Sequence, residues 1–240
     1  MERKIYGIFT AGGSGSRMGA PVPKQFLEIG GKPILRLTIE RFLEALPDLQ
    51  VVTVLPREHF DTWKDLCLKG AFDVPQRLVG GGMTRFHSVK NALGAVPDGA
   101  FVLVQDGVRP FLSVGKIREM TAAMQAGARA VIPVVPVTDT LHCLRRREDG
   151  SLEPVPGEMP DRSRLFGAQT PQIFRSEELR AAYDNAYDTR FTDDASVALA
   201  AGIPLTYIEG ERYNIKITTP EDLELAGKIF TDIEKNFSQG

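Results

Sequence analysis

The 240-residue chain has no surplus of positive charge: 29 Lys+Arg stand against 31 Asp+Glu, a net charge of −2. A general nucleic-acid binder draws most of its affinity from phosphate neutralisation and carries a basic surface, so that class is excluded. Cysteine is scarce. Cys67 and Cys143 are the two present, too few for a disulfide framework or a four-thiolate zinc site. Both read as reduced, semi-buried thiols that pack as small hydrophobes. Long apolar runs are missing as well. None approaches the roughly 18 residues of a membrane helix. The apolar stretch after Met1-Glu2-Arg3-Lys4 is too short for a signal peptide. These features point to a cytoplasmic protein that binds neither nucleic acid nor membrane. No internal repeat or low-complexity tract is found.

What is present is a rhythm of short apolar runs and helical-period segments. Ile5–Thr10, Val51–Leu55, Arg77–Val79, Phe101–Gln105 and Ala130–Val135 read as strands. Residues 33–46, 59–70, 84–93 and 113–126 read as the helices between them. Continuous Val/Ile/Leu runs belong to strands covered on both faces, and strand–helix alternation to parallel βαβ units. The expected fold is α/β: a Rossmann-like, mainly parallel sheet sandwiched by helices, in a single domain over 1–240. The rhythm breaks at 140–164, where Glu148-Asp149-Gly150 is a hairpin-turn signal and Pro154, Pro156 and Pro160 exclude a helix. This stretch reads as a projecting β-arm. Beyond it come helices at 176–187, with Ser176 as its capped start, and 193–201. A strand at 205–209 and a last helix at 220–236 follow, the latter opened by Thr219-Pro220-Glu221-Asp222, with a cap, proline at the first helical position and acids in the first turn.

The first strand runs into Ala11-Gly12-Gly13-Ser14-Gly15-Ser16-Arg17-Met18-Gly19. Glycines let backbone approach a ligand closely, and successive N–H groups form an anion nest. Arg17 adds a guanidinium fork suited to phosphate. No Gly-Lys-Ser/Thr ends the loop, and the glycine spacing is not G-x-G-x-x-G, which disfavours a P-loop and an NAD site. The loop is expected to hold nucleotide phosphates at the carboxyl end of the sheet. Lys24, stiffened by Pro21 and Pro23, is placed to offset charge on a phosphoryl group in transfer.

The glycine loop with Pro23-Lys24-Gln25 resembles the signature of the sugar- and polyol-phosphate nucleotidyltransferases. Five further segments resemble the branch that acts on 2-C-methyl-D-erythritol 4-phosphate: Gly81-Gly82-x-x-Arg85-x-x-Ser88-Val89, Asp106-Gly107-Val108-Arg109-Pro110, Asp139-Thr140, Gln169-Thr170-Pro171-Gln172 and Asn214-Ile215-Lys216-Ile217-Thr218. The resemblance spans Ile5 to Phe230. It implies transfer of CMP from CTP to the polyol phosphate, with Mg²⁺ bridging the CTP phosphates. By the same resemblance the cations of catalysis are Arg17, Lys24, Arg162 and Lys216. The nucleotide is held by Ala11, Gly12, Gly13, Gly15, Gly82, Met83, Ser88, Asp106 and Gly107. The acceptor is held by Asp106, Arg109, Thr140, Arg162, Thr170, Thr192 and Lys216, and the β-arm embraces a second copy in a homodimer. No protein metal ligands are implied.

Gln105, Gly107, Val108, Met83 and His142 depart from the family pattern. A D-ribitol-5-phosphate cytidylyltransferase of the same fold stays open as an alternative, since Tyr213 and the Asp-x-Val-Arg-Pro-Phe segment look like that branch. So does a non-catalytic nucleotide-binding protein, although such a protein has no need of Lys24, Arg162 and Lys216 together.

Overall fold

The computed structural model describes residues 3–13, 22–157 and 160–237. Its centre is β1 (Ile5–Thr10), which lies parallel between β4 (Gln50–Leu55) and β6 (Phe101–Asp106). β5 (Gln76–Gly80) extends the parallel half beyond β4. Because side chains alternate along a strand, each of these runs feeds two cores. Ile8, Val52, Val102 and Val104 face α3 (Arg85–Leu93), α5 (Ser176–Tyr183) and α6 (Asp194–Ala200). Phe9, Val51, Leu55 and Leu103 face α1 (Ile34–Ala45), α2 (Phe60–Lys69) and α4 (Val114–Gln125). Phe101 to Val104 of β6 are buried, as their unbroken apolar run predicts, and the polar Gln105 and Asp106 that end the strand are buried with them.

The other half of the sheet is mixed. β11 (Gln172–Arg175) inserts antiparallel between β6 and β7 (Ala130–Pro136). β10 (Phe166–Ala168) is also antiparallel to β7, whereas β12 (Thr206–Glu209) is parallel to it. The reversal follows from the connection. The chain returns from the arm without a crossover helix, and only such a crossover delivers a parallel neighbour. The arm is the hairpin of β8 (Leu144–Arg146) and β9 (Leu152–Pro154), turned at Gly150 with φ +85°.

A small hairpin of β2 (Glu28–Ile29) and β3 (Lys32–Pro33) packs with α7 (Pro220–Phe237). At its turn Gly30 has φ +58°, and a side chain there would collide with the Phe230 ring. The start of α7 is capped as expected, with the Asp222 carboxylate accepting from the Thr218 and Thr219 N–H groups.

Two expectations change. Ser176 does not cap α5: it is fully buried, its hydroxyl accepting from Ala100 N and donating to the Pro97 carbonyl, so it ties the helix to the start of β6. The same helix stops at Tyr183 rather than 187, where Asp184 and Asn185 begin a polar turn of low helix propensity.

The lone tryptophan, Trp63, is buried and donates to the Gln76 side-chain carbonyl at 2.9 Å; the buried Thr53 hydroxyl donates to the same oxygen at 2.8 Å. Gln76→Leu strands both donors. It is expected to destabilise the fold by about 2 kcal/mol, seen as a lower urea midpoint at unchanged slope in Trp63 fluorescence. A midpoint equal to wild type would exclude the shared acceptor.

Candidate active site

The register of the central strands sets the site. Thr10 lies opposite Asp106, and Gly107 N donates to the Thr10 carbonyl at 2.9 Å. The carboxyl ends of β1 and β6 therefore finish level, side by side, the position at which α/β sheets hold ligands. The strands approach closely because position 107 is glycine: a Cβ there would sit 2.8 Å from Leu35 Cδ1 and 3.2 Å from the Ala11 Cβ. Around this edge lies a cavity of about 320 Å³. Ala11, Gly12 and Gly13 line it from β1, Lys24 and Gln25 from the following short turn, Gly82 to Arg85 and Ser88 from the start of α3, and Asp106, Val108 and Lys216 from the far side.

Asp106 is the electrostatic centre. Its carboxylate receives Lys216 Nζ at 2.9 Å and Arg109 Nε at 3.3 Å on one oxygen, with Arg85 Nε at 3.8 Å from the other. Burial by itself would raise its pKa. Arg85, Lys216 and Arg109, in that order, overcome the burial and hold the group down at about 2. Its N–H donates to the Thr170 hydroxyl. Arg109 is fixed at its other end by the Asn214 carbonyl at 2.7 Å, and the Asn214 amide donates to the Thr170 carbonyl at 2.9 Å. The motifs around positions 106, 170 and 214 thus form one hydrogen-bonded unit.

The base-side loop is equally constrained. Thr84 caps α3. The Ser88 hydroxyl accepts from Gly82 N at 3.0 Å and donates to the Thr84 carbonyl at 3.0 Å, so it shapes the loop as well as facing the cavity. A side chain at Gly82 would collide with His87. Met83 is almost fully exposed, which leaves the backbone as the polar surface at that position.

Nine of the residues expected from the sequence line this one cavity: Ala11, Gly12, Gly13, Lys24, Gly82, Met83, Ser88, Asp106 and Lys216. Arg109, Thr170 and Gly107 stand directly behind it through the bonds above. Gly15 and Arg17 lie outside the described residues. Thr140, Arg162 and Thr192 are exposed and are not among the cavity's lining residues. Arg162 donates instead to the Thr138 carbonyl at the base of the arm. Thr192 precedes Asp193, which is the true cap of α6 and forms a capping box with Ser196.

Sequence reasoning assigned no role to Arg85, although it stands inside a quoted motif. It also missed Asp194 and Tyr183, the first paired with Arg85 and the second donating to Asp194 at 2.6 Å. No sequence signal could have joined residues so far apart in the chain.

The sequence profile of the 2-C-methyl-D-erythritol 4-phosphate cytidylyltransferase family matches residues 5–232. A Bacteroides fragilis enzyme of that name is 45% identical over 92% of this chain and 97% of its own. One from Porphyromonas gingivalis is 45% identical over 96% of this chain and the whole of its own. Among solved structures, a 4-diphosphocytidyl-2C-methyl-D-erythritol synthase from Anaerococcus prevotii is similar with a TM-score of 0.76 at 29% identity, covering 95% of this chain and 96% of its own. The Thermus thermophilus cytidylyltransferase is similar at 0.69 and 31% identity, over 95% and 98%.

Asp106→Asn leaves three cations facing a neutral amide. The expected cost is about 3 kcal/mol, or roughly 6–12 °C in Tm. Because the folded pKa lies below the ordinary aspartate value of 3.8, the carboxylate's contribution is complete above about pH 4 and fades as pH falls towards 2. The Tm gap between wild type and variant should close over that window; a gap constant down to pH 2 would refute the charge assignment.

Proposed function

The chain belongs to the 2-C-methyl-D-erythritol 4-phosphate cytidylyltransferase family, and we propose that Arg17, Lys24, Arg162 and Lys216 are the cations on which its reaction runs. The protein transfers CMP from CTP to 2-C-methyl-D-erythritol 4-phosphate and releases pyrophosphate. The observation carrying the residue assignment is the shared cavity: Lys24 and Lys216 line the same space as Gly12, Gly13 and the loop at Gly82.

An oxygen of the acceptor phosphate attacks the α-phosphorus of CTP in line. The bond from that phosphorus to the bridging oxygen breaks, and pyrophosphate leaves with the electron pair. Both reactants are polyanions, so the protein's task is to hold them together and to stabilise charge on the crowded phosphorus. Arg17, Lys24 and Lys216 do so on the triphosphate side. The Gly82–Ser88 loop, with Met83 acting through its backbone, reads cytosine. Uracil presents an acceptor in place of the N4 donor and leaves a buried group unpaired, at about 1–3 kcal/mol. Asp106 takes the acceptor's hydroxyls, with Arg109 and Thr170 supporting it and Thr192 at the rim.

Mg²⁺ belongs to this reading as part of the CTP substrate. Among the described residues no cluster of three His, Cys, Asp or Glu side chains could hold a metal, and Asp106 is already engaged by three cations. In this reading the ion would come with CTP, held by its phosphates and water, which suits the tight hydration shell of Mg²⁺.

The arm supports a homodimer. On its two strands Arg145 pairs with Glu153, which also receives Arg147, so one face is charged and polar. The other face shows Leu144 and Leu152, 47% and 55% exposed. A two-stranded hairpin is marginal in water without packing, and a second copy supplies it. Thr140 and Arg162, which do not line their own chain's cavity, then reach the partner's site. A cytoplasmic location goes with two soluble phosphate substrates.

Lys24→Ala and Arg162→Ala should each lower kcat/KM at least tenfold, about 1.4 kcal/mol of transition-state stabilisation. Near-wild-type rates in both would sink the assignment. Sedimentation should give a dimer for the wild type and a shift towards monomer for Leu144→Asp/Leu152→Asp; an unchanged dimer would remove the arm from the interface.

A further inference from the structure

Arg85 is the first residue of α3, directly after the loop that faces the nucleotide. Its guanidinium reaches two carboxylates. Nη2 donates to Asp194 Oδ2 at 2.6 Å, and Nε stands 3.8 Å from Asp106 Oδ1. Asp194 is fully buried, and the Tyr183 hydroxyl takes its second oxygen at 2.6 Å. Asp194 opens α6 just after Thr192 and Asp193. That segment is itself locked to β11, because the Gln172 amide donates to Asp193 and accepts from Ala195 N. One residue therefore joins the nucleotide-side loop, which its backbone continues, to the acidic end of β6 and the segment that carries Thr192.

Asp106 divides its two oxygens accordingly. Oδ2 faces Arg109 and Lys216, and the flank of Oδ1 is occupied by Arg85. A carboxylate held from both sides cannot rotate freely, and its remaining lone pairs point to a fixed place in the cavity. Loss of Arg85 frees one side of it. A lysine can satisfy Asp194 through a single donor, but it lacks the planar fork that serves two acceptors at once.

We propose that Arg85 is a positioning residue: by bridging Asp194 and Asp106 it orients the Asp106 carboxylate for the polyol acceptor and holds the acceptor-side segment against the nucleotide-side loop. This rests on the reading of Asp106 as an acceptor contact. It assigns Arg85 to acceptor recognition and leaves the affinity for CTP to the other lining groups.

The difficulty in testing it is that Arg85→Gln alone strands the buried Asp194 charge and lowers stability for a trivial reason. Arg85→Gln/Asp194→Asn removes the charge with its partner. Against wild type, the double variant should regain most of the Tm lost in Arg85→Gln. It should keep an acceptor KM raised tenfold or more, with a calorimetric Kd for CTP alone within twofold. Arg85→Lys should also melt near wild type with a raised acceptor KM, and it serves as the test where the double variant does not fold. Tyr183→Phe, which loosens Asp194 without touching Asp106, should lower Tm and leave that KM unchanged.

Recovery of the acceptor KM together with Tm overturns the proposal, as does an equal rise in Tyr183→Phe or a parallel loss of CTP affinity. Asp106→Asn separates the two readings. If it leaves the acceptor KM unchanged, the acceptor role of Asp106 fails. If it raises that KM while Arg85→Lys and the double variant do not, only the positioning role fails.

Discussion

One carboxylate organises the functional end of this sheet. Asp106 closes β6 with Lys216, Arg109 and Arg85 around it, and each of those cations comes from a different part of the chain. A buried anion with no partner is costly, and so is a set of cations pressed together with none to offset them. The cluster satisfies both needs at once. In doing so it joins the segment carrying Lys216, the turn after β6 and the start of α3 at the level where β1 ends. The cluster still carries more positive than negative charge, which is the condition for receiving two polyanions.

The charge of the whole chain conceals this. A net of −2 describes a solvated surface on which acids and bases are interspersed. At the cavity the balance is reversed, because Lys24 and Lys216 line it with Asp106 as the described acidic group, while the charge of Arg85 is met by Asp194. Concentrating the cations in one place gives affinity for phosphate without a general attraction to polyanions.

Much of the scaffold was legible beforehand. The strand at Ile5–Thr10, the buried run at β6 and the hairpin signal at Asp149-Gly150 all depend on patterns within a few residues. Nine expected site residues share one cavity because motifs placed at strand ends are carried to one edge by parallel registry. What local patterns do not reach depends on distant partners. The antiparallel insertion of β11 hangs on where the chain returns after the arm. Ser176 has the local look of a cap, yet its hydroxyl is claimed by Ala100 and Pro97 from another element.

The sequence by itself determined the α/β alternation, the placing of Gly12 and Gly13 just after the first strand, the interrupting arm and the residue types a phosphate site requires. Each of these is a matter of local backbone preference and side-chain chemistry. Only the tertiary structure decided which charges meet. That Arg85 stands between Asp106 and Asp194, and that Asn214 steadies Arg109, follows from packing across separations of up to 109 residues. Coulombic and hydrogen-bond contacts depend on distances of a few ångströms, and no pattern along the chain encodes those distances.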